Sequence, residues 1–285
     1  MEKSLGKEAA VTVAARSVQA NPTETDDGAL GKGAEPRGAP TRTLEKGLVL
    51  LALFDHDHPH WTLRELRERA GLPKATTRRL VKTLEASNWV AYDAEAGNYH
   101  LGSAVLRALY LATSHNELAR IIHPYLVSLM EDTTETSILA VWTDQGPLIL
   151  DTVPTKRSFK SLTFNGMLLE GVASADAMAL IAFGPEESWE RILAKPIVPR
   201  TVSTVTDPQA LREKWRAIRC EGVAFDWFEW NADAPAVAVP LFDRRGHLLG
   251  ALSIVVPIER ASEEAMQRHA GLLKDAAAEI SLKLG

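Results

Sequence analysis

The stretch TLRELRERAGLPKATTRRLVKTLEASNWV, Thr62 to Val90, decides the fold. Thr62 and Glu65 stand ahead of an apolar run at the spacing of a capping box. Leu63 and Leu66 predict a short helix that stops at Ala70-Gly71, where glycine supplies a left-handed terminus. Pro73 stands where a second helix begins, its missing N–H costing nothing in a first turn. On that helix Thr77, Leu80, Val81 and Leu84 share one face. Arg78, Arg79 and Lys82 share the opposite face, with Ala75 between them and Lys74 and Thr76 at its edges. Two short helices joined by a glycine turn, the second basic outside, is the pattern of a helix-turn-helix. An ordinary solvated helix also presents a basic face, so the next segment matters. Trp89 to Tyr92, a polar turn over 93–98, and Tyr99 to Leu101 read as strand, turn and strand. A hairpin directly after a helix-turn-helix makes it winged.

At this point the stretch resembles the DNA-binding domain of the IclR family of bacterial transcriptional regulators. The resemblance is carried by Leu44-Glu45-Lys46-Gly47-Leu48, Leu63 to Leu66, Gly71-Leu72-Pro73-Lys74-Ala75-Thr76, Arg79-Leu80, Thr83-Leu84 and Tyr99-His100-Leu101-Gly102. It implies a double-stranded DNA operator as partner, with Lys74, Thr76 and Arg79 at contact positions. The residues themselves add roles. Arg78 and Arg79 suit base contacts, because a guanidinium bridges guanine O6 and N7. Lys74 and Lys82 suit phosphates, which position without specifying. Thr76 suits a thymine methyl or a phosphate, and Thr62, capping the first helix of the pair, a phosphate. Arg42, with Arg37, is placed to enter a groove as a basic arm. Thr77 stands where the family usually has an aliphatic residue and is expected to face inward.

The 285 residues suffice for two domains, and net charge is −5 with a pI near 5.9. Only a docking face must neutralise phosphates, so an acidic balance is compatible with specific DNA binding and argues against coating nucleic acid non-specifically. No apolar run reaches the roughly 20 residues that span a bilayer. Residues 1–20 lack a signal-peptide pattern. Cys220 is the lone cysteine, which fits a reducing cytoplasm. The expected location is cytoplasmic, with no membrane partner.

Four segments are predicted: a disordered extension over 1–40, a winged helix-turn-helix domain over 41–102, a linker helix over 103–116, and an effector-binding and oligomerisation domain over 117–285. The first helix is expected over Leu44 to Phe54 with Leu44, Leu48, Leu51 and Phe54 inward. Asp55-His56-Asp57-His58-Pro59-His60 alternates acid and histidine, but no second ligand cluster lies near it, so it reads as a solvated loop with no metal. The linker helix, Ala104 to Ser114, carries Val105, Leu106, Leu109 and Leu111, a face suited also to a partner chain. Glu117 to Thr133 is helical, with Pro124 predicting a kink or break. Strands are expected over 137–142, 148–153, 159–164, 222–227, 236–242 and 248–256, about six in all. Helices follow Ser174, span 186–193, open at Asp207-Pro208, and run from Ser262 to near Leu284. The fold class is α+β, an antiparallel sheet with helices before, within and after it. This half is similar to the GAF-like effector-binding domain of the same family, through Glu221 to Asp226, Ala236 to Asp243, Gly246, and Ala251 to Ile254.

No Gly-rich phosphate loop, nucleophile elbow or zinc helix occurs, so neither an enzyme nor a cofactor is expected. The resemblance implies an effector pocket at Ser174, Ala175, Asp176, Asp226, Ala234, Ala236, Ser253 and Val255. The family's Gly-Lys-Ala loop is replaced here by Ala173-Ser174-Ala175-Asp176-Ala177-Met178-Ala179. A helix N-terminus at Ser174 favours anions, yet Asp176 repels a carboxylate at close range while suiting the helix dipole. The expected ligand is a small organic molecule, neutral, hydroxylated or amine-bearing, and not a simple dicarboxylate. Trp142, Trp227, Phe228 and Trp230 read either as an aromatic wall or as core and interface residues, and Asp176 either as a pocket acid or as a solvent-facing helix acid. Together these features predict a ligand-responsive regulator, a repressor more than an activator, acting as a homodimer or tetramer. The alternative is a small-molecule sensor whose winged helix contacts protein.

Overall fold

The computed structural model describes residues 41–55, 58–114, 116–158 and 163–284. The expected extension over 1–40, His56 and Asp57 of the acid-histidine loop, and the first four residues of the strand predicted over 159–164 lie outside the described residues. The chain divides into two compact units, one ending at Thr113 and the other starting at Ser114.

The first unit holds α1 (Arg42–Leu51), α2 (Leu63–Ala70), α3 (Lys74–Ala86), β1 (Val90–Asp93), β2 (Asn98–Leu101) and most of α4 (Ser103–Ser114). The predicted capping box is present: Thr62 Oγ1 accepts from Glu65 N–H at 3.3 Å, and Glu65 Oε2 accepts from Thr62 N–H at 2.8 Å. Gly71 ends α2 at φ 63°, the left-handed conformation a side chain would resist. Pro73 falls one residue earlier than expected, capping α3 from outside. Leu50, Trp61, Leu66, Leu80, Val81 and Val90 form the core.

Two expectations are corrected here. Leu44 and Leu48 do not face inward; they are 63% and 55% exposed. At 3.6 residues per turn Leu50 lies nearly opposite Leu48, and burying Leu50 with Gly47 turns both leucines out. Arg42 lies not on an arm but in the first turn of α1, exposed.

Trp61 adds a third rung to the hairpin. It exchanges backbone hydrogen bonds with Tyr99 at 2.9 and 2.7 Å, and its indole N–H donates to Leu53 O at 3.0 Å. Where β2 leaves for α4, Gly102 N–H donates to Trp89 O at 2.8 Å.

The second unit is a five-stranded antiparallel sheet in the order β4-β3-β7-β6-β5, formed by β3 (Thr136–Thr143), β4 (Gly146–Val153), β5 (Ala224–Asp226), β6 (Ala236–Phe242) and β7 (Leu248–Val255). Thr163 and Phe164, the described end of the predicted third strand, are not extended into the sheet; nearby, Leu168 makes a single bridge to Leu148. The strand expected over 222–227 shortens because Gly222, at φ 74°, is spent as a helix cap and Asp226 opens a turn.

The helices are α5 (Glu117–Thr133), α6 (Ala175–Phe183), α7 (Glu187–Leu193), α8 (Pro208–Glu221) and α9 (Glu263–Ser281). The side chains of Asn116, Ser174, Asp207 and Ser262 cap α5, α6, α8 and α9. α5 runs unbroken through Pro124, its buried face of Ile122, Leu126, Leu129 and Met130 outweighing one missing hydrogen bond.

Strand alternation sorts the sheet into two cores. Leu139, Val237, Val239, Leu252 and Ile254 pack with α5 and α9. Ile138, Ala140, Ala236, Ala238, Ala251 and Val255 pack with α6, and Trp189 and Trp215 back that helix from α7 and α8 with ring centroids 5.3 Å apart.

A methyl group at Gly102 would penetrate the Asn88 carbonyl, which is backbone and cannot swing away. Gly102→Ala is therefore expected to destabilise the first unit by roughly 1–3 kcal/mol. Denaturant unfolding followed by Trp61 and Trp89 fluorescence checks this, and an unchanged midpoint would refute it.

Candidate functional site

The first candidate surface is the outer face of α3. Lys74, Ala75, Arg78, Arg79, Lys82, Thr83, Ala86 and Ser87 line one open groove along it. Helical periodicity alone brings these residues together, and Leu80, Val81 and Thr77 hold the opposite face in the core. Thr77 Oγ1 is satisfied by donating to Pro73 O at 3.2 Å. The acids of α2 are committed within their own helix: Glu68 takes Arg64 at 2.9 Å and Arg67 at 3.0 Å, and Glu65 takes Thr62. Glu85 is the lone acid within α3. The groove therefore presents Lys74, Arg78, Arg79 and Lys82 as cations. Thr76 is half-buried at its edge. Thr62 Oγ1 is engaged in the capping box, so its hydroxyl serves α2 first.

The second candidate site is the α6 side of the sheet. Register aligns Asp226, Ala236 and Val255 in one transverse row, and Ser253 in the next with Ala238 and Ile138. Ser174, Ala175 and Asp176 begin α6 above them, and Ala234 precedes β6; all eight pocket positions are buried. Asp176 does not face solvent. Burial drives its carboxyl up to about 6, against weaker pulls from the Ser253 hydroxyl and its own N–H. The Ser253 hydroxyl is near enough to pull on that carboxyl, but neither Asp176 Oδ1 nor Ser253 Oγ reaches hydrogen-bonding geometry with any group. Asp226 Oδ1 accepts from Glu229 N–H at 2.7 Å and Trp230 N–H at 3.2 Å, so it organises the turn after β5. Burial still raises it to about 7 despite those bonds, and the neighbouring Glu229 adds to the rise.

Of the four candidates for an aromatic wall, only Trp230 packs with this core, and the Arg200 guanidinium lies 4.0 Å from its ring centroid. Trp227 joins the opposite core, and Trp142 is 46% exposed. No motif marks Thr152, whose hydroxyl is buried without a partner on the α6 face. Only the strand register reveals it. Among the described residues no three His, Cys, Asp or Glu side chains gather as metal ligands. His58 instead closes a local turn on Asp55, its N–H donating to Oδ1 at 2.6 Å.

An IclR helix-turn-helix family model matches residues 43–94, and the model of the bacterial transcriptional regulator IclR C-terminal domain matches 110–282. The chain belongs to the IclR family. The transcriptional repressor IclR of Escherichia coli K12 is 30% identical over 254 residues, spanning 88% of this chain and 92% of that one. The acetate operon repressor of Salmonella typhimurium is 29% identical, spanning 86% and 90%. The crystal structure of an IclR homologue from Microbacterium hydrocarbonoxydans, complexed with 4-hydroxybenzoate, is 26% identical with a TM-score of 0.70, covering 84% of this chain and 98% of that one. This IclR-family chain is a DNA-binding transcriptional regulator. No described helix is long and apolar enough to cross a membrane.

The two raised carboxyls set a sign for pH. Between the ordinary carboxylate range and their folded values the native state holds more protons than the unfolded state, so stability falls as pH rises through that window. Asp176→Asn removes one such group. Its stability advantage over the parent should be near zero at about pH 4 and grow to at most about 3 kcal/mol above about pH 7. Urea unfolding across that range measures it; an advantage largest at low pH, or none, would refute the assignment.

Proposed function

We propose that this regulator binds a pseudo-palindromic operator as a homodimer or tetramer, represses transcription, and is modulated by a small organic metabolite, aromatic or hydroxylated, in its second unit. The observation that carries the proposal is the cationic groove along α3. Arg78 and Arg79 read base edges, Lys74 and Lys82 hold phosphates, and Thr76 meets a thymine methyl or a phosphate. Arg42 and Thr62 are secondary phosphate contacts. Exposed leucines on α1 and α4, among them Leu44, Leu48, Leu106 and Leu111, support an apolar contact with a second copy. The buried set Ser174, Ala175, Asp176, Asp226, Ala234, Ala236, Ser253 and Val255 supports an effector site. A ligand there acts by binding one arrangement of the DNA-binding units better than another, through α4. The protein works in the cytoplasm.

The test is a mobility-shift titration on DNA upstream of the protein's own gene at two salt concentrations. Arg79→Ala is expected to weaken specific binding by roughly 1–3 kcal/mol, and Lys82→Ala to weaken specific and random DNA alike while lowering the salt slope by about one. Binding that ignores salt would instead favour a winged helix that contacts protein.

A further inference from the structure

Five acids are buried among the described residues: Glu135, Asp151, Asp176, Asp226 and Glu229. Four have evident partners. Glu135 takes the Arg260 guanidinium with both oxygens, Asp151 takes His123 at 2.7 Å, Glu229 takes Lys214, and Asp226 takes two backbone N–H groups. Asp176 differs. It is 3% exposed, its Oδ1 lacks a hydrogen-bond partner, and no Lys, Arg or His contributes to its field. Ser253, wholly buried beneath it on β7, faces the Asp176 carboxyl, yet its Oγ reaches hydrogen-bonding geometry with no group. Thr152 Oγ1 is a third, on the same row of the sheet, because Ile138 pairs with Ser253 on one side and Thr152 on the other. Buried polar groups left unsatisfied are rare, and three on one face of one sheet need a common reason.

We infer that Asp176 and Ser253 form the polar end of a site for a small organic cation, an ammonium group on an apolar body. The inference rests on the effector reading above and narrows it. A primary ammonium brings three donors and a positive charge. Asp176 Oδ1 and Ser253 Oγ are the acceptors it needs, and Ala175, Ala236 and Val255 are the small and apolar side chains packed in the same core. The N-terminus of α6 would ordinarily welcome an anion, but Asp176 in its first turn already supplies one. An incoming carboxylate meets that charge where little water screens it, so the same residue that attracts an amine rejects an acid.

The test is thermal unfolding of the full chain at neutral pH with benzylamine and butylamine, each beside the alcohol and the carboxylate of the same skeleton. The amines are expected to raise Tm, and the carboxylates to leave it unchanged. In Asp176→Asn, which keeps the side-chain shape, the apparent affinity for the amines should drop about tenfold or more, and Ser253→Ala should weaken them by a smaller factor. Carboxylates that stabilise as well as amines, amines that act equally on Asp176→Asn, or amines without effect on the parent would each overturn the inference. Operator binding is followed in parallel. Intact specific DNA binding with no amine effect removes the ligand assignment alone, whereas loss of specific DNA binding removes the regulator proposal and leaves the amine result standing.

Discussion

The second unit depends on one constraint: its sheet is covered on both faces. The buried apolar strand residues divide between two cores, and the two are built differently. The α5 and α9 side is filled with branched side chains such as Leu139, Val239 and Ile254. The α6 side is lined with alanines, Ala236, Ala238 and Ala251 facing Ala175 and Ala179. Small residues on both partners bring helix and sheet close, and Asp176 between them is 3% exposed. That closeness is why one acid in the first turn of α6 is perturbed so strongly.

Much of the fold was legible because its signals are local. Thr62 with Glu65, Gly71, Ser174, Asp207 with Pro208, and Ser262 each mark a helix end through contacts within four residues. Features that depend on distant partners were not. The inward side of α1 is set by what packs on Leu50, and the Leu44–Leu48 stripe is equally apolar in sequence. The pairing of Trp61 with Tyr99 joins segments that share no motif.

The candidate surfaces divide the same way. The basic groove of α3 follows from helical period and could be written down from the chain. The α6 site could be named by position, but its chemistry came from burial and register. Whether Asp176 faced water or protein, whether Asp226 held a ligand or a turn, and which tryptophan stood near were matters of tertiary packing.

The Trp61–Tyr99 rung has a mechanical meaning. Backbone bonds at 2.9 and 2.7 Å stitch the residue before the α2 cap to the second strand of the wing, and the indole fastens the same point to the end of α1. The α2 cap, the end of α1 and the wing are thereby tied together at one residue. Bending one of these against another would first have to unzip those backbone bonds. The contour of the α3 face therefore rests on a frame held by backbone bonds and not on side-chain packing alone.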